Sequence, residues 1–148
     1  MDLARFCQQL TEESQAATEQ RCPIILKENG SLVGAQADEG LLRHIFGNLL
    51  TNAIKYSAPG AEVEFAVRKQ DTDAIFVVRD RGIGVPKEDV KQLFQAFHRG
   101  GNVGETPGTG LGLVIVKRCV ELHRGTIQFE STERIGTTVT VRIPLFEH

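Results

Sequence analysis

Between Arg99 and Gly110 the chain reads RGGNVGETPGTG, a stretch so rich in Gly, Pro and Thr that neither a helix nor a strand can run through it. A connection of that length without regular structure is uncommon inside a compact domain, and it is usually functional or disordered. The rest of the fold must therefore be assembled from ordered stretches on either side. Upstream, Asp2 to Glu19 carries Leu3, Phe6 and Leu10 at helical spacing, which predicts an amphipathic helix docking by one face. Pro23 introduces IILK, read as a strand, and a Gly-rich turn region follows through Gly34. Asp38 caps a helix from Glu39 to Tyr56 that SAPG ends. Glu62 to Arg68 and Ala74 to Val78 read as strands joined by a turn at QDTD, and Lys87 to Phe97 as a helix. Downstream of the loop, Leu111 to His123 is an apolar helix, and Thr126 to Glu130 and Thr137 to Ile143 alternate as strands around a turn at Arg134 to Gly136.

The strands cluster instead of alternating strictly with helices, so the expected architecture is a two-layer α/β sandwich in which helices cover a mixed, mostly antiparallel sheet. A doubly wound parallel sheet fits the order less well. With 148 residues, 41% of them hydrophobic, the chain can build one core but hardly two. The net charge of -2 supplies no basic field for a nucleic-acid backbone. Cys7, Cys22 and Cys119 are odd in number and contain no CxxC pair, so they read as free thiols in a reducing compartment. No apolar run approaches the roughly 20 residues that span a bilayer, and the first residues lack the pattern of a signal peptide. The expected location is cytoplasmic without direct membrane contact, compatible with a membrane-anchored parent.

On the helix holding HIFGNLLTNAIKYS, a turn of about 100° per residue sets His44, Asn48, Asn52 and Lys55 on one stripe. Leu42, Ile45, Phe46, Leu49 and Ala53 form the neighbouring stripe that would face the sheet. Asn is less favourable than Ala in a helix by up to roughly 0.7 kcal/mol, so two of them one turn apart ask for a reason. The bland reading is a solvated polar face. The functional one is that neutral amide oxygens complete a magnesium shell while Lys55 meets a phosphate. Asp80 comes just after an apolar strand and before Gly82 and Gly84, either as a surface turn or as an acceptor carboxylate whose glycines let a flat ring approach the backbone. GTGLGL, Gly108 to Leu113, ends the glycine-rich loop at a helix start, where exposed amides bind phosphate. It matches neither GK[ST] nor GxGxxG, so alone it is weak.

The order of these features is specific where each is not. An Asn-bearing helix, DxGxG after a strand, LFxxF, a Gly-rich loop closing on GTGLGL and a late GTT together resemble the catalytic domains of sensor histidine kinases, over about Pro23 to Pro144. The resemblance implies the Bergerat ATP-binding fold, with three helices on a mixed sheet, and ATP and Mg2+ as ligands. It implies that Asn48 and Asn52 stand in the N box as metal ligands, with Lys55 and Tyr56 contacting phosphate and nucleotide. Asp80 matches the adenine-binding aspartate, with Gly82 and Gly84 shaping its pocket. Phe94 and Phe97 match the lid-anchoring F box, which core packing explains equally well, and Arg99 resembles the basic residue that reaches phosphate. Gly108, Thr109, Gly110, Leu111 and Gly112 match the second glycine box. Thr137 and Thr138 lie where the late Gly-Thr motif backs the adenine site, although ordinary strand threonines would look the same.

By the same resemblance the reaction is transfer of the ATP γ-phosphoryl group to a histidine on a separate dimerisation domain, and from there to a response regulator. Residues 1–22 then form a linker helix from that absent domain, and 23–148 the catalytic domain, expected to be monomeric when isolated. His44, His98, His123 and His148 are the only histidines, and none sits in an acceptor motif. ATP-hydrolysing relatives present a glutamate where this chain has Asn48, and a neutral amide cannot take a proton from water. Anti-sigma-factor serine kinases, which phosphorylate a partner's hydroxyl, share the same boxes, and a pseudokinase would bind nucleotide without transfer. The FxxF lid and the N-terminal helix argue against the former, and intact Asn52, Asp80 and glycine boxes against the latter.

Overall fold

The computed structural model describes residues 2–30, 32–55, 57–82, 111–132 and 136–146, with the backbone alone for 111–114 and 131–132. Its elements are α1 (Leu3–Ala17), β1 (Ile24–Asn29), α2 (Glu39–Lys55), β2 (Val63–Gln70), β3 (Asp73–Asp80), α3 (Leu111–Leu122), β4 (Thr126–Thr132) and β5 (Gly136–Pro144). The strands form one sheet in the order β1-β2-β3-β5-β4. Only β1 and β2 are parallel, because α2 crosses over between them, and every other pairing is antiparallel. This is the mixed, mostly antiparallel sheet covered by helices that the strand pattern implies, with three helices among the described residues. The helix expected over Lys87 to Phe97 lies outside the described residues.

Register places the apolar sides of the central strands together: Phe65 is opposite Val78 and Val78 opposite Val139, while Val67 is opposite Phe76 and Phe76 opposite Val141. All six are buried, so one face of the sheet carries the core and α2 packs on it across β2 and β3. The stripe of α2 read from the sequence, Leu42, Ile45, Phe46, Leu49 and Ala53, is buried as expected and is joined by Leu50 and Ile54. Each large side chain so buried contributes about 1.5–3 kcal/mol. Phe46 also meets Phe76 with ring centroids 4.2 Å apart and Phe65 at 5.8 Å, which fixes the helix over the centre of the sheet. Asp38 caps α2 as expected, its Oδ1 accepting the N–H of Leu41 at 3.1 Å. α1 buries Leu3, Phe6, Cys7 and Leu10 against α2 and β1, so its apolar face belongs to the common core.

The hairpin of β2 and β3 is tighter than the apolar pattern implies. Lys69 and Gln70 pair with Ala74 and Asp73, leaving Asp71 and Thr72 as the turn, with Asp71 at φ 56°. Polarity hides these residues from an apolar pattern, but the backbone ladder does not depend on side-chain polarity. β3 likewise runs through Asp80, so this carboxylate is the last residue of the strand and not the first residue after it. Cys7, Cys22 and Cys119 are free and buried, and burial pushes the Cys7 thiol up to about 12. No helix among the described residues is long and apolar enough to cross a membrane.

Candidate functional site

β3 ends where β2 begins, since Arg79 pairs with Glu64, and β5 begins there too, since Asp80 pairs with Thr137. α2 reaches β2 through the short stretch 57–62, so its last turn, with Asn52 and Lys55, lies at this same end of the sheet. α3 packs against α2 and β4 and leads into β4 near Arg142, at the opposite end. Its first turn, Leu111 and Gly112, therefore lies toward the end of the sheet that carries Asp80. The first four backbone N–H groups of a helix have no partner within it, so this turn offers donors to an anion.

Asp80 is 7% exposed. Burial pushes its carboxyl above the ordinary range, and backbone N–H groups of Gly82 and Thr137 pull it back in part. The Gly82 N–H donates to Asp80 Oδ1 at 2.9 Å. A carboxylate so held is oriented by the backbone on two sides, and it keeps lone pairs for a further donor. Gly136 makes this possible. At φ 143° it lies so close to the end of β3 that a Cβ there would sit 2.2 Å from the Asp80 carbonyl oxygen and 2.9 Å from the Arg81 Cα. In the sequence Gly136 reads only as a turn residue. Its signal is the glycine of GTT, but its steric role depends on a strand far away in the chain.

On α2 the expected stripe is observed: His44 and Lys55 are exposed, and Asn48 and Asn52 half-buried. The Asn48 amide donates from Nδ2 to the His44 carbonyl at 2.6 Å, which fixes the flip of the amide and directs Oδ1 away from that carbonyl. The Asn52 side chain makes no hydrogen bond, and Lys55 no ion pair, among the described residues. No group of three or more His, Cys, Asp or Glu side chains suited to a metal occurs among the described residues. A hard divalent ion at this end would meet neutral amide oxygens and the phosphates of a ligand, which suits magnesium better than zinc. Thr137 and Thr138 are half-buried on β5, Thr137 opposite Asp80 and Thr138 opposite Arg79. Tyr56, Gly84, Phe94, Phe97, His98, Arg99, Gly108, Thr109, Gly110 and His148 lie outside the described residues. A separate groove of about 490 Å³ runs between α1 and α2 and includes His44 and Asn48, but neither Asn52 nor Asp80 lines it, so it is not this site.

Residues 37–147 match the family described as "Histidine kinase-, DNA gyrase B-, and HSP90-like ATPase", and the chain belongs to that family of ATP-binding domains. Its relatives within the family include named histidine kinases. The chain is 46% identical over 111 residues to the circadian input-output histidine kinase CikA of Synechococcus elongatus, covering 74% of this chain and 15% of CikA. It is 31% identical over 151 aligned positions to the sensor histidine kinase WalK of Bacillus subtilis, covering 99% of this chain and 25% of WalK. The chain thus spans a quarter or less of the length of these curated relatives. Among solved structures, the mycobacterial sensor histidine kinase MprB superposes with a TM-score of 0.84 at 25% identity, covering 100% of this chain and 99% of that one. Full-length ShkA, solved in complex with AMPPNP, gives 0.85 at 28% identity over 100% of this chain and 31% of ShkA. The fold expected from the motifs is the fold of histidine kinase catalytic domains.

Proposed function

We propose that this chain binds Mg-ATP and transfers its γ-phosphoryl group to a histidine on a separate dimerisation domain, which in turn supplies a response regulator. The observation that carries the reading is Asp80: a carboxylate buried at a strand end, oriented by two backbone N–H groups, beside a helix whose stripe presents Asn48, Asn52 and Lys55. In this reading Asp80 accepts the adenine amino group, with Gly82, Gly84 and Thr138 closing around the ring. Asn48 and Asn52 hold the metal, and Lys55, Tyr56 and Arg99 meet the phosphates. The amides from Gly108 to Gly112 cradle them, Phe97 anchors the lid, and α1 with its connector leads in from the dimerisation domain. The domain works in the cytoplasm as a monomer, without nucleic acid.

Phosphoryl transfer asks little covalent help of the protein, and placement and charge neutralisation supply most of the acceleration. Magnesium held by Asn48 and Asn52 would supply positive charge against the phosphates. The protein's part is to orient: Asp80 fixes the base, the first turn of α3 offers N–H groups to the anion, and Lys55 adds a positive charge. Asn48 keeps hydrolysis low, because its amide donates to the His44 carbonyl and cannot take a proton from water.

Labelling with γ-labelled ATP tests this directly. The chain alone should bind Mg-ATP and label itself negligibly. Mixed with its parent's dimerisation domain, it should label one histidine there, slowly and in proportion to concentration, because the tether that raises effective concentration is missing. The label should be acid-labile and base-stable, being on nitrogen. Strong self-labelling would place the acceptor in this chain, acid-stable label on serine would indicate a serine kinase, and rapid phosphate release without acceptor an ATPase.

A further inference from the structure

The connector between α1 and β1 is bonded, residue after residue, to the segment that closes α2. The Arg21 guanidinium donates from Nη2 to the Ser57 carbonyl at 2.8 Å. The Arg21 carbonyl accepts the N–H of Gly60 at 2.8 Å, and the Pro23 carbonyl accepts that of Val63 at 2.9 Å. Between them the Cys22 thiol donates to the Ala58 carbonyl at 3.4 Å. Arg21 is delivered to this place by two consecutive non-glycine residues in the left-handed region, Glu19 at φ 55° and Gln20 at φ 58°. Such residues are costly and persist where surrounding contacts over-determine them.

The C-terminal end of a helix carries the negative end of its dipole, so a guanidinium bonded to the Ser57 carbonyl, two residues beyond α2, places a positive charge beside that end and ties the chain that leaves it. Ser57 lies two residues after Lys55 and five after Asn52. Among the described residues, none of the groups that hold Asp80, namely Gly82, Thr137 and the close approach of Gly136, belongs to the connector. We propose that Arg21 is a positioning residue for the phosphate and metal half of the site, holding the last turn of α2 so that Lys55 and Asn52 stay in place, while the adenine half is held independently. This rests on the roles given above to Asn52, Lys55 and Asp80.

The test measures Mg-ATP and adenosine binding separately on the full chain, for wild type, R21A, R21Q and R21K. R21A should weaken Mg-ATP by about tenfold, the loss of one hydrogen bond to a charged group, and leave adenosine within about twofold. R21K, which restores a cationic donor to the connector, should recover part of the loss. A purely structural role would weaken both ligands alike, and that result overturns the proposal, as does unchanged Mg-ATP affinity in R21A. If R21A does not fold, the same ratio on R21Q decides. Wild type that binds no Mg-ATP would instead remove the reading of the site on which the proposal stands.

Discussion

Burial pushes the Asp80 carboxyl above its ordinary range, and the N–H groups of Gly82 and Thr137 offset only part of that. A carboxyl whose pKa is raised by folding contributes stability below its unfolded pKa and loses that contribution as pH climbs through the folded value. The ionised form of the group is therefore a liability to the empty protein. Asp80→Asn should leave the unliganded melting temperature unchanged or raise it, by about 2–4 °C for each kcal/mol recovered, and should remove the pH dependence in that window. The same variant should lose nearly all of the melting shift given by Mg-ATP, because a charge-assisted hydrogen bond worth about 1.5–3 kcal/mol is replaced by a mixed amide. Asn52→Ala, measured alongside, removes a poor helix former with no side-chain hydrogen bond among the described residues, so only its magnesium-dependent shift should shrink. Scanning calorimetry with and without Mg-ATP checks both. A destabilised Asp80→Asn with its ligand shift intact would make this carboxylate structural. The stripe of α2 is legible in the sequence because helical periodicity alone defines it. The hold on Asp80 is not, since it depends on which residues register brings beside a strand end.

At the scale of the element, the end of α3 shows how tertiary contact overrides a local rule. The N–H of Arg124 bonds to the Glu121 carbonyl and that of Gly125 to the Val120 carbonyl, a helix stop in which the left-handed position is normally glycine. Here Arg124 occupies it, at φ 61°, and the glycine stands one residue later. The reason is β5: a Cβ on Gly125 would lie 2.5 Å from the Arg142 carbonyl oxygen and 2.9 Å from Ile143 Cγ1. Gly125→Ala should therefore destabilise by about 1–3 kcal/mol, as overpacking against backbone does. Arg124→Gly should cost nothing or stabilise, by relieving the left-handed conformation. Urea unfolding midpoints at constant m-value check the pair, and an unaffected Gly125→Ala would mean that helix and strand can slide apart freely. Element types are legible in the sequence because α2, α3 and the strands carry strong periods. Their ends are less so: polar pairs such as Lys69 with Ala74 and Gln70 with Asp73 extend the hairpin through backbone bonds that no apolar pattern marks.

For the whole molecule, the layer arrangement follows from the clustering of strands, but the strand order does not, because pairing between distant segments leaves no local trace. β5, the latest strand in the chain, sits between β3 and β4, and it brings both Gly136 and the Thr137 N–H to Asp80. A chain stopped after Thr132 keeps α2, Asp80 and the whole of β4, yet leaves β3 and β4 with no strand between them. It should neither melt cooperatively nor bind Mg-ATP, whereas one continued through residue 146 should do both, and nucleotide binding by the shorter chain would contradict this. The consequence concerns the order of events on the ribosome. At about 5–20 residues per second, roughly 3–13 s separate the synthesis of Asp80 from that of Pro144, the end of the strand that secures it. During that interval the nascent chain already contains Asp80 and α2 but lacks the strand that secures the carboxylate, so under the proposed function ATP binding waits on the completion of β5.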